Sequence, residues 1–539
     1  MMSNSEMEDP VQFDRRMMDN QARLRARLRE SYDFIVCGGG ASGSVVARRL
    51  AENPDAHVLL LEAGGGDVSE TVLDPAQWPL NLGSDRDWGF QATPNPHLDG
   101  RTLPMSMGKG LGGGSSINVM VWARGHQSDW DHFATEAGDA AWGYESVLDI
   151  YRRIENWQGK PDPRYRGTGG PVWVQPAADP SPIALAMLDA AEEIGIPRFD
   201  NPNGAMMEGP GGAAITDMLV RDGRRHSLFR AYLRPWMDRP NLTVLTGATV
   251  RRVLFEGRRA VGVEIMREDG IHTLRASGEV ILSLGAMHTP KVLMQSGIGD
   301  EAELKRFSLP VIQHLPGVGA NLQDHTAFCC IWEYREPLAP RATGSEAKLY
   351  WKTRPELETP DLLFCQVEFP VPSERTAARG VPAHGWTMFA GLARPESRGR
   401  VRLTGADPSA PIEIDANALS HPADMDAAVA CIELCRELGN AEAFRPHVIG
   451  ESLPGPLTGE ALKNFARDSA VTYWHQSGTA KMGRDAMSVV NAQLEVYGVE
   501  GLRIADASIM PRVATGNTQA PCAAIGERAA AMIRQAHRL

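Results

Sequence analysis

The sequence predicts an α/β protein of more than one domain, or of one large interleaved domain, on three observations. The chain has 539 residues, and at roughly 100 to 200 residues per domain that is too long for one ordinary core. An apolar β-rich run, Tyr32 to Cys37, passes through a glycine turn into the helical stretch Ser44 to Leu50, and a second apolar run, His57 to Leu61, follows. Strand, turn, helix, strand is the opening of a parallel sheet. The 54 Gly and 37 Pro supply the many turns that such short elements need.

Composition narrows the function classes. Lys plus Arg number 55 against 67 for Asp plus Glu, a formal charge of -12 with a pI near 5.7. A polyanion meets no attractive field on such a chain, so nucleic acid is not an expected partner. Hydrophobic residues are 43% and charged residues 23%, the usage of a folded globular protein. No apolar run reaches the roughly 18 residues of a transmembrane helix, and the first residues lack a signal peptide's apolar core, so the expected location is the cytoplasm. Seven cysteines without a CxxC pair read as buried thiols. Cys431 and Cys435 lie four apart in a helical pattern, but no two further donors can be placed, and no metal is expected.

Residues 1–31 form a charged leader in which Arg15, Arg16, Arg23, Arg25, Arg27 and Arg29 alternate with Met, Leu and Ala. It reads as an extra helix lying on the surface. A membrane-surface or partner helix is the sharper alternative, diluted by Glu6, Glu8, Asp9, Asp14 and Asp19.

The first chemical motif is Gly38 to Gly43, which includes Gly40, Ala41 and Ser42. Gly38 permits the tight turn, Gly40 lets backbone approach a pyrophosphate, and Gly43 lets the helix pack close to the strand. The helix N-terminus adds positive potential. Glu62, at the end of the second strand and followed by Ala63, stands where a dinucleotide fold places the acid that binds an adenosine ribose. It also argues against a 2′-phosphate and hence against NADP. The whole predicts a dinucleotide-binding, Rossmann-like domain, and leaves FAD and NAD open.

Later segments carry further signals. Gly108 to Asn118, which contains Gly113 and Ser116, is a second glycine-rich loop that lets backbone approach something planar or charged. Glu279 to Leu284 reads as a strand, and Gly285 to Pro290 turns into a helix closed by Ser296-Gly297-Ile298-Gly299. Pro316 to His325, Arg394 to Val401 with Asp407-Pro408 and Asn417, and Tyr473 to Gly483 are three more distinctive stretches. Gly501 to Ser508 predicts a strand with Asp506 at its C-terminal edge, where ligands bind in open α/β sheets. Asn517 can cap a helix that begins near Thr518.

Taken in this order, these motifs resemble the glucose/methanol/choline oxidoreductase family of FAD enzymes over about residues 32–533. The resemblance implies an α/β FAD lobe, 32–325 in interrupted form with a C-terminal return over 465–539. It also implies an α+β substrate lobe of sheet and helices over 326–464, with part of 155–230. His475, in the segment similar to the family's catalytic one, becomes the proposed base. An imidazole suits removal of a hydroxyl proton near neutral pH. Asn517 matches the position of its partner. His126, His288 and His325 lie in or beside motifs, and loop or cap hydrogen bonding is their expected role. By the same resemblance Trp88, Asn118, Met120, Val250, Trp474, Asp506, Ala507, Thr518 and Gln519 sit near the cofactor, with Val250 giving backbone contacts to adenine. The helix after Asn517 would aim its positive end at the flavin N1 and C2 carbonyl region. Some relatives attach FAD through a histidine just before the asparagine of the second glycine loop; this chain has Ile117 there, so non-covalent FAD is expected.

The implied reaction is oxidation of an alcohol to the aldehyde or ketone, with a slight lean to oxygen over a quinone-type acceptor. Alternatives are a choline-type or polyol dehydrogenase, and a flavin-containing hydroxynitrile lyase without net redox. A neutral primary alcohol is the preferred substrate. Choline would favour an aromatic cage with a carboxylate, for which Trp88, Trp351 and Trp474 are available. The oligomeric state is not legible.

Overall fold

Tyr32 to Cys37 lies in a strand, Ser31–Cys37, because its branched and aromatic side chains find core on both faces: Phe34, Ile35, Val36 and Cys37 are all buried. The structure, a computed structural model, describes residues 10–339, 341 and 343–539. Val58–Leu61 and Gly270–Leu282 flank this strand, both parallel to it. Leu242–Leu245 extends the parallel set beyond Val58–Leu61, and Leu502–Ile504 pairs with the end of Gly270–Leu282. Segments far apart in sequence therefore end side by side. Thr249–Glu256 and Arg259–Arg267 continue the sheet as an antiparallel meander. The helices Ala41–Ala51 and Gln519–His537 pack against each other, tied by Ser42 Oγ donating to the Cys522 carbonyl (2.8 Å) and by Arg49 against Glu527 (2.8 Å).

The second sheet is antiparallel. Its strands lie in the order Val448–Leu453, Thr326–Tyr334, Gly385–Leu392, Leu362–Val367, Ala347–Trp351 and Gly212–Ile215, with Val471–Thr472 beside the start of Thr326–Tyr334. Both faces are covered, so the strands read as nearly continuous apolar runs. One face packs on the helices Pro182–Glu193 and Pro422–Gly439, where Cys330, Cys431 and Cys435 are buried among Trp332, Trp386 and Leu349. The other face carries Cys329, Leu363, Cys365 and Phe389 and looks toward the first lobe. Within 155–230, Pro182–Glu193 and Gly212–Ile215 belong with this second sheet. Trp157, Val172 and Val174 join the core of the first.

The leader is a helix over Pro10–Ala26, and the expectations at Glu6, Glu8 and Asp9 lie outside the described residues. It is docked on the first lobe. Asn20 Nδ2 donates to the carbonyls of Met237 and Arg239 (both 2.9 Å). Gln21, fully buried, donates to the carbonyls of Met237 (2.7 Å) and Leu242 (2.8 Å) and accepts from the Val244 N–H (2.9 Å). The helix thus completes the edge of the parallel sheet at Leu242–Leu245. Among the described residues, no helix is long and apolar enough to cross a membrane. Replacing Gln21 with Ala takes this partner from the buried Leu242 carbonyl and Val244 N–H, while the Met237 carbonyl keeps Asn20. It is expected to cost roughly 2–4 kcal/mol and to lower the thermal midpoint by several degrees. A midpoint within a degree of wild type would show that the leader adds nothing to the fold.

Candidate active site

A cavity of about 430 Å³ runs along the C-terminal ends of the parallel strands. Gly38 follows the first strand, Glu62 the second and Ala248 the third. Ser283 and Gly285 follow Gly270–Leu282, Asp506 follows Leu502–Ile504, and all of them line the cavity. The opposite wall comes from the second sheet and from the segment Tyr473 to Gln476. A site at strand ends between two lobes is where an open α/β sheet offers unpaired backbone groups to a ligand.

The two glycine loops meet in this cavity. Gly38 has φ +104°, and a Cβ there would lie 2.2 Å from the Ser283 carbonyl oxygen. Gly112 N–H donates to the Gly39 carbonyl (2.7 Å), locking the second loop to the first. Gly113, at φ +51°, comes so close that its Cβ would stand 2.9 Å from Gly40 Cα. The cradle between the loops is therefore bare backbone, as a pyrophosphate requires.

Glu62 is buried, and its carboxylate accepts from Gly39 N–H (2.9 Å) and Gly64 N–H (2.8 Å). Desolvation pushes its pKa up, while those N–H groups oppose the shift. Asp506 accepts from Gly285 N–H (2.9 Å), Thr289 Oγ1 (2.6 Å) and Ser508 N–H (2.8 Å), pinning the start of the helix Gly285–Gln295. Asn118 donates to Gln519 Oε1 and accepts from the buried Arg225 (3.0 Å) and from Met120 N–H (2.9 Å). Among the described residues, Gln519 Nε2, Ser283 Oγ and Asn517 Oδ1 are buried without partners, and their residues line the cavity. A buried polar atom left unpaired in an otherwise satisfied wall is what a ligand rich in donors and acceptors completes.

Most residues singled out in the sequence line this cavity: Gly38, Gly40, Ala41, Ser42, Glu62, Ala63, Trp88, Gly113, Asn118, Val250, Trp474, His475, Asp506, Ala507, Asn517, Thr518 and Gln519. Gly43, Ser116 and Met120 stand behind it. A Cβ on Gly43 would lie 1.9 Å from the Gly38 carbonyl oxygen, Ser116 Oγ donates to the Leu111 carbonyl (2.7 Å), and Met120 is buried at φ +59°. Trp351 packs toward the outer core.

Two antiparallel segments build the reactive end. Thr326 and Ala327 pair with Thr472 and Val471, Tyr473 N–H donates to the His325 carbonyl (3.0 Å), and Gln323 pairs with Ser477. Between them Asp324 is a two-armed acceptor, taking Thr472 Oγ1–H on one oxygen and His475 N–H (2.9 Å) on the other. Thr472 Oγ1 accepts from Trp474 N–H (2.8 Å), which holds Trp474 at φ +59°. A bulky residue in that region costs about 1–3 kcal/mol, and the bend it makes brings Trp474 and His475 both to the cavity.

His475 is buried, with Nε2 3.1 Å from Asn517 Nδ2 and Nδ1 2.9 Å from His325 Nδ1. With the Asn517 amide donating to Nε2, the proton of His475 sits on Nδ1 and is given to His325. Tyr473 stacks on His475 at 5.5 Å and Phe389 on Trp474 at 6.1 Å. Burial pushes the His475 pKa well below the usual imidazole value, helped by His325 and Lys348, and takes His325 down to about 3. The same desolvation lifts Asp324 to about 7.

A family model described as GMC oxidoreductase matches residues 32–327, and a second with that description matches residues 395–526. The chain belongs to the GMC oxidoreductases. It is 38% identical to an oxygen-dependent choline dehydrogenase of Escherichia coli O139:H28, covering 93% of this chain and 95% of that protein. The corresponding protein of Brucella suis biovar 1 is 37% identical, over 92% and 94%. Among solved structures, pyridoxine 4-oxidase from Mesorbium loti superposes with a TM-score of 0.89 at 31% identity, covering 94% of this chain and all of that one. Formate oxidase gives 0.85 at 26%, over 94% and 99%. As a GMC oxidoreductase the protein is an FAD-dependent enzyme that acts on CH–OH groups, and the glycine cradle with its orphaned donors and acceptors fits that cofactor. Ile117, in the cavity wall before Asn118, offers only an alkyl side chain, in keeping with non-covalent FAD.

Three expectations change. Asn517 does not cap the last helix, since its amide turns to His475 and the helix begins at Gln519 without a side-chain cap. His325 is not a loop hydrogen-bonder but the ring bonded to His475 through Nδ1, which only the pairing of 321–327 with 471–477 reveals. His288 packs its ring 4.2 Å from Trp88 in the cavity wall. His126 does cap a helix, accepting from Ser128 N–H (3.1 Å). Gly113→Val is expected to abolish copurifying flavin absorbance while far-UV circular dichroism stays native. A yellow variant with full flavin content would show that the loop contact is not part of the cofactor cradle.

Proposed function

We propose that the protein oxidises an alcohol to the aldehyde or ketone, with His475 Nε2 as the base and molecular oxygen as the electron acceptor. The observation that carries the reading is the pair His475 and Asn517, 3.1 Å apart in the wall of a cavity shared with the glycine cradle. FAD, when bound, supplies the acceptor for the hydrogen and two electrons that leave the carbinol carbon. The substrate hydroxyl proton goes to His475 Nε2, which burial keeps free of a proton at neutral pH. Asn517 orients that hydroxyl through its unpartnered Oδ1. As Nε2 takes the proton, Nδ1–H stays bonded to His325 Nδ1, so the imidazolium that forms keeps its ring orientation and an acceptor. Thr518 and Gln519, at the N-terminus of the last helix, present its positive end to the cavity. Glu62 and Val250 are the residues for the adenosine end.

The acceptor is assigned on similarity to proteins named as oxidases or as oxygen-dependent. An anaerobic absorbance spectrum with a panel of alcohols tests the reading. Bleaching of the flavin bands by one alcohol, followed by recovery and peroxide in air, is the expected result. No bleaching by any alcohol overturns it.

His475→Ala is expected to lower kcat/KM for that alcohol by about 10²–10⁴-fold with flavin content unchanged. Because the imidazole is held below its usual value of 6.5, protonation removes the base only on the acid side. The kcat/KM profile is expected to be flat above about pH 6.5 and to fall below it. An acid limb centred at pH 7 or higher would remove His475 from the role.

A further inference from the structure

The cavity wall facing the catalytic pair holds a charge that the reaction does not use. Lys348 lies on the strand Ala347–Trp351, directly opposite Cys365, which is in turn opposite Phe389. This cross-strand row points into the cavity. Lys348 is 2% exposed, and among the described residues its Nζ has neither a hydrogen-bond acceptor nor a carboxylate partner. The Tyr473 ring lies 5.8 Å from Nζ, and that ring stacks on His475 at 5.5 Å.

No group nearby can serve as its counter-ion. Glu346 is turned to the Gly344 N–H (3.1 Å) and Gln366. The Cys365 thiol donates to the Phe389 carbonyl (3.7 Å). The two carboxylates in the cavity wall, Glu62 and Asp506, stand at strand ends of the other lobe and are held by backbone N–H groups. A buried ammonium without a partner is costly, and burial alone drives its pKa down. Such a group persists where a ligand supplies the missing charge. The distances through Tyr473 place the ammonium and the base no further apart than the two ends of one small elongated molecule.

We propose that Lys348 determines substrate specificity: its ammonium binds a carboxylate, or an anion of similar size, at the end of the alcohol remote from the reacting carbinol. The inference rests on the alcohol-oxidase reading and names its substrate class. It replaces the neutral alcohol expected from the sequence, and a quaternary ammonium alcohol is the class the site selects against, because two cations would share one desolvated wall.

The test uses the FAD-loaded protein and three alcohols of one shape: 4-(hydroxymethyl)benzoate, 4-methylbenzyl alcohol and 4-(trimethylammonio)benzyl alcohol. In anaerobic stopped-flow reduction, the carboxylate is expected to exceed the neutral alcohol by about 10–100-fold in reduction rate over Kd, the range of a charge-assisted hydrogen bond, with the cation the poorest. Lys348→Met is expected to collapse the carboxylate-to-neutral ratio at least tenfold, through Kd. Lys348→Arg, which keeps the charge, is expected to retain most of the ratio. A titration with 4-methylbenzoate, which has no hydroxyl to oxidise, reads the anion site through the flavin spectrum without turnover. Wild type is expected to bind it at least tenfold tighter than Lys348→Met. If no alcohol bleaches the flavin but 4-methylbenzoate still binds through Lys348, the oxidase reading fails and the anion site stands. Preference of wild type for the neutral or cationic alcohol overturns the proposal. So does an unchanged ratio in Lys348→Met, or a variant slowed only in reoxidation by air.

Discussion

The Asp324 carboxylate is the constraint on which the reactive end depends. It joins the start of the strand Thr326–Tyr334 to the returning segment Val471 to Ser477, and it does so by accepting from both Thr472 Oγ1 and His475 N–H. Without it the chain at Trp474 would relax from its left-handed conformation, and the imidazole would swing away from Asn517. His475 is thus placed by the backbone around it rather than by packing alone. Packing then fixes the ring, with Tyr473 stacked on it and His325 bonded to Nδ1. A residue held from three directions loses little orientational freedom when a substrate arrives, which is where much of an enzyme's advantage lies.

Desolvation unites the chemistry of this region. The same burial that keeps His475 and His325 unprotonated lifts Asp324 to about 7. These shifts pull stability in opposite directions with pH. A depressed histidine weakens the fold as pH drops below 6.5, whereas a raised aspartate strengthens it between about 7 and its ordinary value near 3.8. The site therefore concentrates groups whose penalties fall on opposite sides of neutrality, the histidines' in acid and the aspartate's above its ordinary value.

Local rules made the first lobe legible. The strand, glycine turn, helix and acid at residues 32–62 obey short-range constraints that hardly depend on the rest of the chain, and each falls in the structure where spacing places it. The second lobe was legible only through family resemblance, because its strands are covered on both faces and carry no alternation to read. Where a residue's role depends on a distant partner, sequence reasoning failed in a specific way. His325 looked like one loop histidine among several until the pairing with residues 471–477 set it against His475. Asn517 reads locally as a helix cap because Asn before a helix usually is one, and only the family resemblance set it beside His475, where its amide lies. Lys348 gave no signal at all, since a lysine beside an apolar run reads as the exposed face of a strand.

The charges of the cavity are divided between its two walls, and the division follows from how each lobe is made. The parallel sheet ends in backbone N–H groups, which draw Glu62 and Asp506 into hydrogen bonds and leave them no free charge to offer a cation. The strands Ala347–Trp351, Leu362–Val367 and Gly385–Leu392 that face the cavity are paired with one another, so their backbone groups are already taken. Any polar recognition on that wall must come from side chains, and the row Lys348, Cys365 and Phe389 provides a single full charge in an apolar surround. A ligand lying between the walls therefore meets backbone and neutral amides on one side and an isolated ammonium on the other. That asymmetry, rather than the cavity's volume, is what distinguishes the two ends of a ligand in this cavity.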